Sequence, residues 1–182
     1  MRVARSPVIA PMAWLIALSP LTAVRAADDA VRLEITNAET AAFQGAVALT
    51  IKYTNTSEKP VSLRANGSPA HGGFPGETFE ITTKAGRKTY TVFAVDPLPL
   101  ETTIEPGKSW TRTIKDLGRV LSSSGVLIDG KHPKPTDPVP DPFGRSGEVA
   151  IRVLFESTVK NEPGAFNGKL TSNTVRFNRK LR

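Results

Sequence analysis

The chain has 182 residues, no cysteine, and 24 basic against 17 acidic side chains, a formal net charge of +7. A length of this order predicts one domain, large enough to bury a core without covalent staples. The missing cysteines exclude thiol catalysis, thiolate metal sites, disulfides and lipid attachment at a leader cysteine.

Arg2 and Arg5 precede an apolar run from Val8 to Val24, interrupted by Pro11, Ser19, Pro20 and Thr22 and closing on Val24-Arg25-Ala26. This is the three-part layout of a secretory signal peptide, predicted to be cut after Ala26. The two prolines and the shortness of the run make it a poor membrane span, which needs roughly 20 predominantly apolar residues. No second such run follows, so the expectation is a periplasmic or secreted protein, not membrane-spanning. Residues 1–26 are then leader and 27–182 the domain. Removing three leader arginines from 24 basic residues leaves 21 against 17 acidic, a net of +4. That modest excess mainly gives solubility.

The alternation in the remaining chain predicts strands. Val31, Leu33 and Ile35 alternate with Arg32 and Glu34. From Ala46 to Asn55, Val47, Leu49, Ile51 and Tyr53 fall on one face and Ala48, Thr50, Lys52 and Thr54 on the other, the pattern of a half-buried strand. Val61 and Leu63 follow the turn at Ser57–Pro60. Phe79 and Ile81 lead into a hairpin turn at Lys84-Ala85-Gly86-Arg87, with Thr89–Val95 as the return strand. Glu105-Pro106-Gly107-Lys108 is a second turn, because proline presets its first corner and glycine tolerates the next. Trp110, Arg112 and Ile114 share one face of the strand that follows, which makes Trp110 a core residue. A short helical turn is expected near Leu117–Leu121. Gly147–Glu156 repeats the clean alternation, with Val149, Ile151, Val153 and Phe155 inward and Glu148, Arg152 and Glu156 outward. Leu170–Leu181 holds the last strand, with Val175 and Phe177 inward. Seven or eight strands with regular turns and no helical period predict an all-β fold, a single antiparallel sandwich of immunoglobulin or fibronectin type.

The order of these pieces carries a resemblance. A strand ending in Asn-x-Ser is followed by a Pro-Gly turn before an aromatic strand, then by the glycine-led strand Gly147-Glu148-Val149-Ala150-Ile151 and a closing Ser172-Asn173-Thr174-Val175-Arg176-Phe177. This resembles the Ig-like domains of uncharacterised bacterial secreted proteins, and is similar to the β-sandwich N-terminal region of deuterolysin-type metalloproteases. The resemblance implies a fold and is nearly silent on function. The protease's His-Glu-x-x-His motif is absent, so that activity is not carried over.

Two stretches depart from a minimal sandwich. Ala65–Thr78 is glycine-rich and holds His71 and Phe74, which serve either as ligand contacts on a loop or, for Phe74, as a cap on the core. Ser122–Ser146 holds His132 and five prolines between Pro133 and Pro142, which disfavour helix and sheet alike. It is expected to be extended and solvated. It either docks a partner through Lys131, His132, Lys134 and Phe143 or is an insertion packed by Val126, Ile128, Val139 and Phe143. The densest basic cluster, Arg176, Arg179, Lys180 and Arg182, is either an anion contact or a solvated strand face.

Catalytic chemistry is poorly represented. His71 and His132 both sit in Gly- or Pro-rich loops, a poor place to hold a base against a nucleophile. Glu148 and Glu156 lie on one strand face roughly 27 Å apart by strand rise, too far to act as a pair. There is no phosphate-cradling glycine loop, and the Asp129, Asp137, Asp141 set lacks any calcium-loop spacing. Asn55-Thr56-Ser57 and Asn66-Gly67-Ser68 match the N-glycosylation pattern but also suit plain turns. The expectation is therefore no enzyme, no cofactor, no metal and no nucleic acid. The first functional reading is an exported module that binds another envelope or extracellular protein through His71, Phe74, Lys131, His132, Lys134 or Phe143. The alternatives are a carbohydrate- or anionic headgroup-binding domain using Arg176, Arg179 and Lys180, and a protease inhibitor acting through an exposed loop.

Overall fold

In a computed structural model, residues 30–40, 46–68, 74–93, 96–122, 126–134, 141–157 and 163–180 are described. The predicted alternation becomes strand pairing. Strands β1 (Val31–Thr40), β2 (Val47–Asn55) and β7 (Ser109–Ile114) form an antiparallel sheet in the order β1-β2-β7. A five-stranded antiparallel sheet runs β10-β9-β4-β5-β8, from β10 (Lys169–Lys180), β9 (Ser146–Glu156), β4 (Glu77–Thr83), β5 (Gly86–Val92) and β8 (Val126–Ile128). A two-stranded ladder pairs β3 (Val61–Ser68) with β6 (Asp96–Ile104). The single short helix among the described residues, α1 (Leu117–Leu121), starts where the Asp116 side chain accepts from the Arg119 N–H. The chain is an all-β protein of antiparallel sheets packed on one core. No helix among the described residues is long and apolar enough to cross a membrane.

The inward residues of the sheets meet as one layer. Leu49, Ile51 and Tyr53 of β2 face Phe79 and Ile81 of β4 and Ile151, Val153 and Phe155 of β9, all essentially without solvent exposure. Burying a side chain of this kind contributes about 1.5–3 kcal/mol relative to exposure. Val120 and Leu121 of α1 add to the same core.

Two asparagines join the sheets. Asn55, fully buried, donates to the carbonyls of Lys59 and Ile104 and accepts from the Ser57 N–H and hydroxyl, tying the end of β2 to the turn before β3 and to β6. A buried asparagine saturated in this way is no glycan acceptor. At the other edge, β1 is irregular between Ile35 and Asn37 and β10 between Thr171 and Thr174. Asn173 fills the gap: its Oδ1 accepts from the Ile35 N–H at 2.7 Å and its Nδ2 donates to the Ile35 carbonyl.

Three expectations change. Ala65–Ser68 is the second half of β3 rather than loop. Its partner β6 escaped prediction because Pro97 and Pro99 argue against a strand; both leave their missing N–H on the same side, which an edge strand tolerates. Within Ser122–Ser146, expected to be extended and solvated, Val126–Ile128 is β8 and pairs with β5. Its Val126 is buried, so core burial recruits this part of the proline-rich segment.

Candidate functional site

The predicted site residues scatter. Phe74 is buried against Tyr53, Trp110 and Phe155 at ring-centroid distances of 5.3–6.5 Å, so it anchors the core and its ring is unavailable to a partner. Phe143 is buried as well, and the Arg179 guanidinium lies 5.2 Å over its ring. Arg179 is itself buried, pairs with Asp141 and donates to the Gly144 carbonyl at 2.6 Å, which removes it from the expected basic surface. The parity of β10 explains this: Val175, Phe177 and Arg179 share the inward side, and Arg179 reaches its counter-charge, Asp141, from there. Arg176 points outward. Lys131, His132 and Lys134 are exposed beyond β8, with His132 edge-on to Phe93 at 4.9 Å. His71 and the Lys180 side chain lie outside the described residues, as does the stretch 135–140. Trp110 is partly buried 5.4 Å from Tyr53, within the aromatic cluster rather than displayed as a sugar platform.

Inside the sandwich is a polar cluster that sequence reasoning missed. Glu77, at the start of β4, has no solvent exposure. It accepts from Tyr53 Oη at 2.6 Å, from Arg112 Nε at 3.0 Å and from the Phe74 N–H at 3.2 Å, and Arg112 Nη2 closes a two-pronged ion pair. Burial, then the Glu77 carboxylate, pushes the Tyr53 hydroxyl well above its ordinary range, with Arg112 opposing. Gly76 makes the approach possible: its φ is +90°, and a Cβ there would lie 2.5 Å from the Glu156 carbonyl oxygen. The sequence did hold one signal: Arg112 sits between Trp110 and Ile114 on an inward face, and an inward arginine needs an acid.

A concave feature of the surface lies on the outer face of the five-stranded sheet. It is an open groove of about 470 Å³ lined by Glu80, Thr82, Thr83, Lys84, Arg87, Glu148, Ala150, Arg152, Thr174 and Arg176. The strand register builds it in two rows. One runs Thr174, Arg152, Glu80 across β10, β9 and β4. The next runs Arg176, Ala150, Thr82, Arg87 from β10 to β5. In that second row, two small side chains form a floor between two arginines whose backbones stand about 14 Å apart, three strand spacings. Arg152 closes one end. Lys84 closes the other: its aliphatic stem lies over Gly147, where a Cβ would stand 3.4 Å from Cε.

Four cations therefore surround a floor of Ala150 and Thr82, against two carboxylates. Glu80 is held by Arg152, at 2.7 Å from its Nε, and by Arg87 at 3.6 Å. Glu148 reaches Arg176 at 3.5 Å, both side chains being more than 60% exposed. Lys84 has no ion pair among the described residues. Hydroxyls of Thr82, Thr83 and Thr174 complete a lining in which Ala150 is the one apolar residue. Such a surface presents charge-assisted and neutral donors together, suited to holding anions and hydroxyls. Among the described residues no group of three His, Asp or Glu side chains is placed to hold a metal ion. Sequence reading placed most of these residues on the strands they occupy, with Arg87 in the turn rather than in β5, but could not assemble them, because their proximity is set by which strands are neighbours. In comparisons with known proteins, no family model and no curated protein matches the chain.

Proposed function

We propose that this protein is an exported, non-catalytic binding module, an Ig-like sandwich whose outer sheet face takes a segment of acidic polysaccharide. The observation that carries this reading is the groove: Lys84, Arg87, Arg152 and Arg176 ring a floor of small residues, with threonine hydroxyls between them. Guanidinium groups match carboxylate or sulfate oxygens with paired donors, and the hydroxyls suit sugar hydroxyls. The other anionic partners fit less well. A protein interface favours an apolar, aromatic centre, and single-stranded nucleic acid favours stacking platforms; the described lining offers neither. The burial of Phe74 and Phe143 also takes two anchors away from docking through the loops.

The test is equilibrium binding of the purified protein to polygalacturonate, with neutral dextran and vesicles of anionic phospholipid alongside, at low and high salt. Binding to polygalacturonate alone, weakened by salt and lost in the Arg152→Ala/Arg176→Ala double variant, supports the reading. Binding to vesicles but not to polygalacturonate, or binding unchanged in the double variant, overturns it.

A further inference from the structure

We infer that Glu148 is a built-in competitor for the groove, occupying the anion seat of Arg176 until a multiply charged ligand displaces it; this inference rests on the groove being the binding site. The two carboxylates of the groove are held differently. Glu80 is 12% exposed and wedged between Arg152 and Arg87, so it belongs to the frame. Glu148 is 62% exposed, and its one ion pair among the described residues is with Arg176, at 3.5 Å from its Nε. The contact is diagonal, because Arg176 stands opposite Ala150 and Glu148 opposite Asn178. An exposed pair of this kind is weak and yields to an incoming anion.

The consequence is selectivity. A tethered carboxylate acts at a high effective concentration, so a single free carboxylate competes with it poorly. A chain of carboxylates engages Lys84, Arg87 and Arg152 at the same time and displaces Glu148 as one contact among several. The groove is thereby tuned to polyanions over monomeric acids and neutral sugars. The residues facing the seat are Lys84, Arg87, Arg152 and Arg176 on the cationic side and Glu80 and Glu148 on the anionic side.

The experiment compares the wild-type protein with Glu148→Gln and with Glu156→Gln. Glu156 is on the same strand, pairs with Lys169 and lies outside the groove, so it controls for the change in net charge. Affinity for polygalacturonate is expected to rise about two- to fivefold in Glu148→Gln, the worth of one exposed ion pair, and to stay unchanged in Glu156→Gln. Monomeric galacturonate should compete with the polymer measurably better in Glu148→Gln than in the wild type. Wild-type binding with an unchanged or weakened Glu148→Gln, or an equal gain in Glu156→Gln, overturns the competitor role and leaves the groove reading standing. No binding of polygalacturonate by any of the three overturns both.

Discussion

Glu77 and Glu80 stand three residues apart on β4 and face opposite ways, each paired with an arginine of another strand. The chemistry is the same and the surroundings are not. Glu77 lies inside the sandwich with Tyr53 and has no solvent exposure, so its charge depends on Arg112, itself 12% exposed. Glu80 and Arg152 lie on the outer sheet face, where Arg152, 38% exposed, remains open to solvent and to a ligand in the groove. An odd number of residues along a strand thus separates a group that holds the fold from a group that offers a surface.

The largest expected effect is on the interior side. Glu77→Ala removes the buried carboxylate that Tyr53, Arg112 and the Phe74 N–H all contact and should cost about 3 kcal/mol, read as a fall in the urea midpoint. A loss below about 1 kcal/mol would mean that the interior tolerates the missing carboxylate and that the contrast with Glu80 is false. Asn55→Ala asks whether the interior cost needs charge at all. It removes a donor from the Lys59 and Ile104 carbonyls and the acceptor of the Ser57 N–H and should cost about 1–3 kcal/mol; a cost equal to that of Glu77→Ala would put hydrogen-bond satisfaction ahead of charge pairing.

Alkaline titration sharpens the same side. Tyr53 is held neutral in the folded state above its ordinary value near 10, so above that pH the unfolded chain binds fewer protons than the folded one. Stability is therefore intact below about pH 10 and falls as pH rises beyond it. The Tyr90 hydroxyl, raised by burial and then by Asp129 and Asp141, adds in the same direction. Tyrosinate absorbance should appear together with loss of the folded signal. Free titration of both tyrosines in the folded protein would show the interior to be open.

The smallest effect on stability belongs to the outer face. Arg176→Ala should change stability by no more than about 0.5 kcal/mol, while polygalacturonate affinity falls about tenfold, the worth of one charge-assisted hydrogen bond. A large loss of stability would make the groove a structural network like the one inside.

Much of the fold was legible because alternation is a local property. The spans 46–55 and 147–156 are strands to within a residue of expectation; the turn predicted at 84–87 closes the β4–β5 hairpin as expected, and the one predicted at 105–108 leads into the expected strand of Trp110. What misled was also local. Pro97 and Pro99 hid β6, whose edge position makes prolines harmless. The prolines after His132 masked β8, whose burial outweighs its surroundings. Arg179 read as one of a basic cluster, although its parity with Val175 and Phe177 already placed it inward.

By itself, then, the sequence determined the class of the fold, most of the strands and the facing of most of their residues, since each follows from residue type and a period of two. Only the tertiary structure decided that Glu77 meets Arg112 and Tyr53, and that Arg152 and Arg176 join Lys84 and Arg87 around one groove. These partners come from strands far apart in the chain. Neighbourhood and register are chosen by how the sheets bury their shared core, and no local pattern encodes that choice.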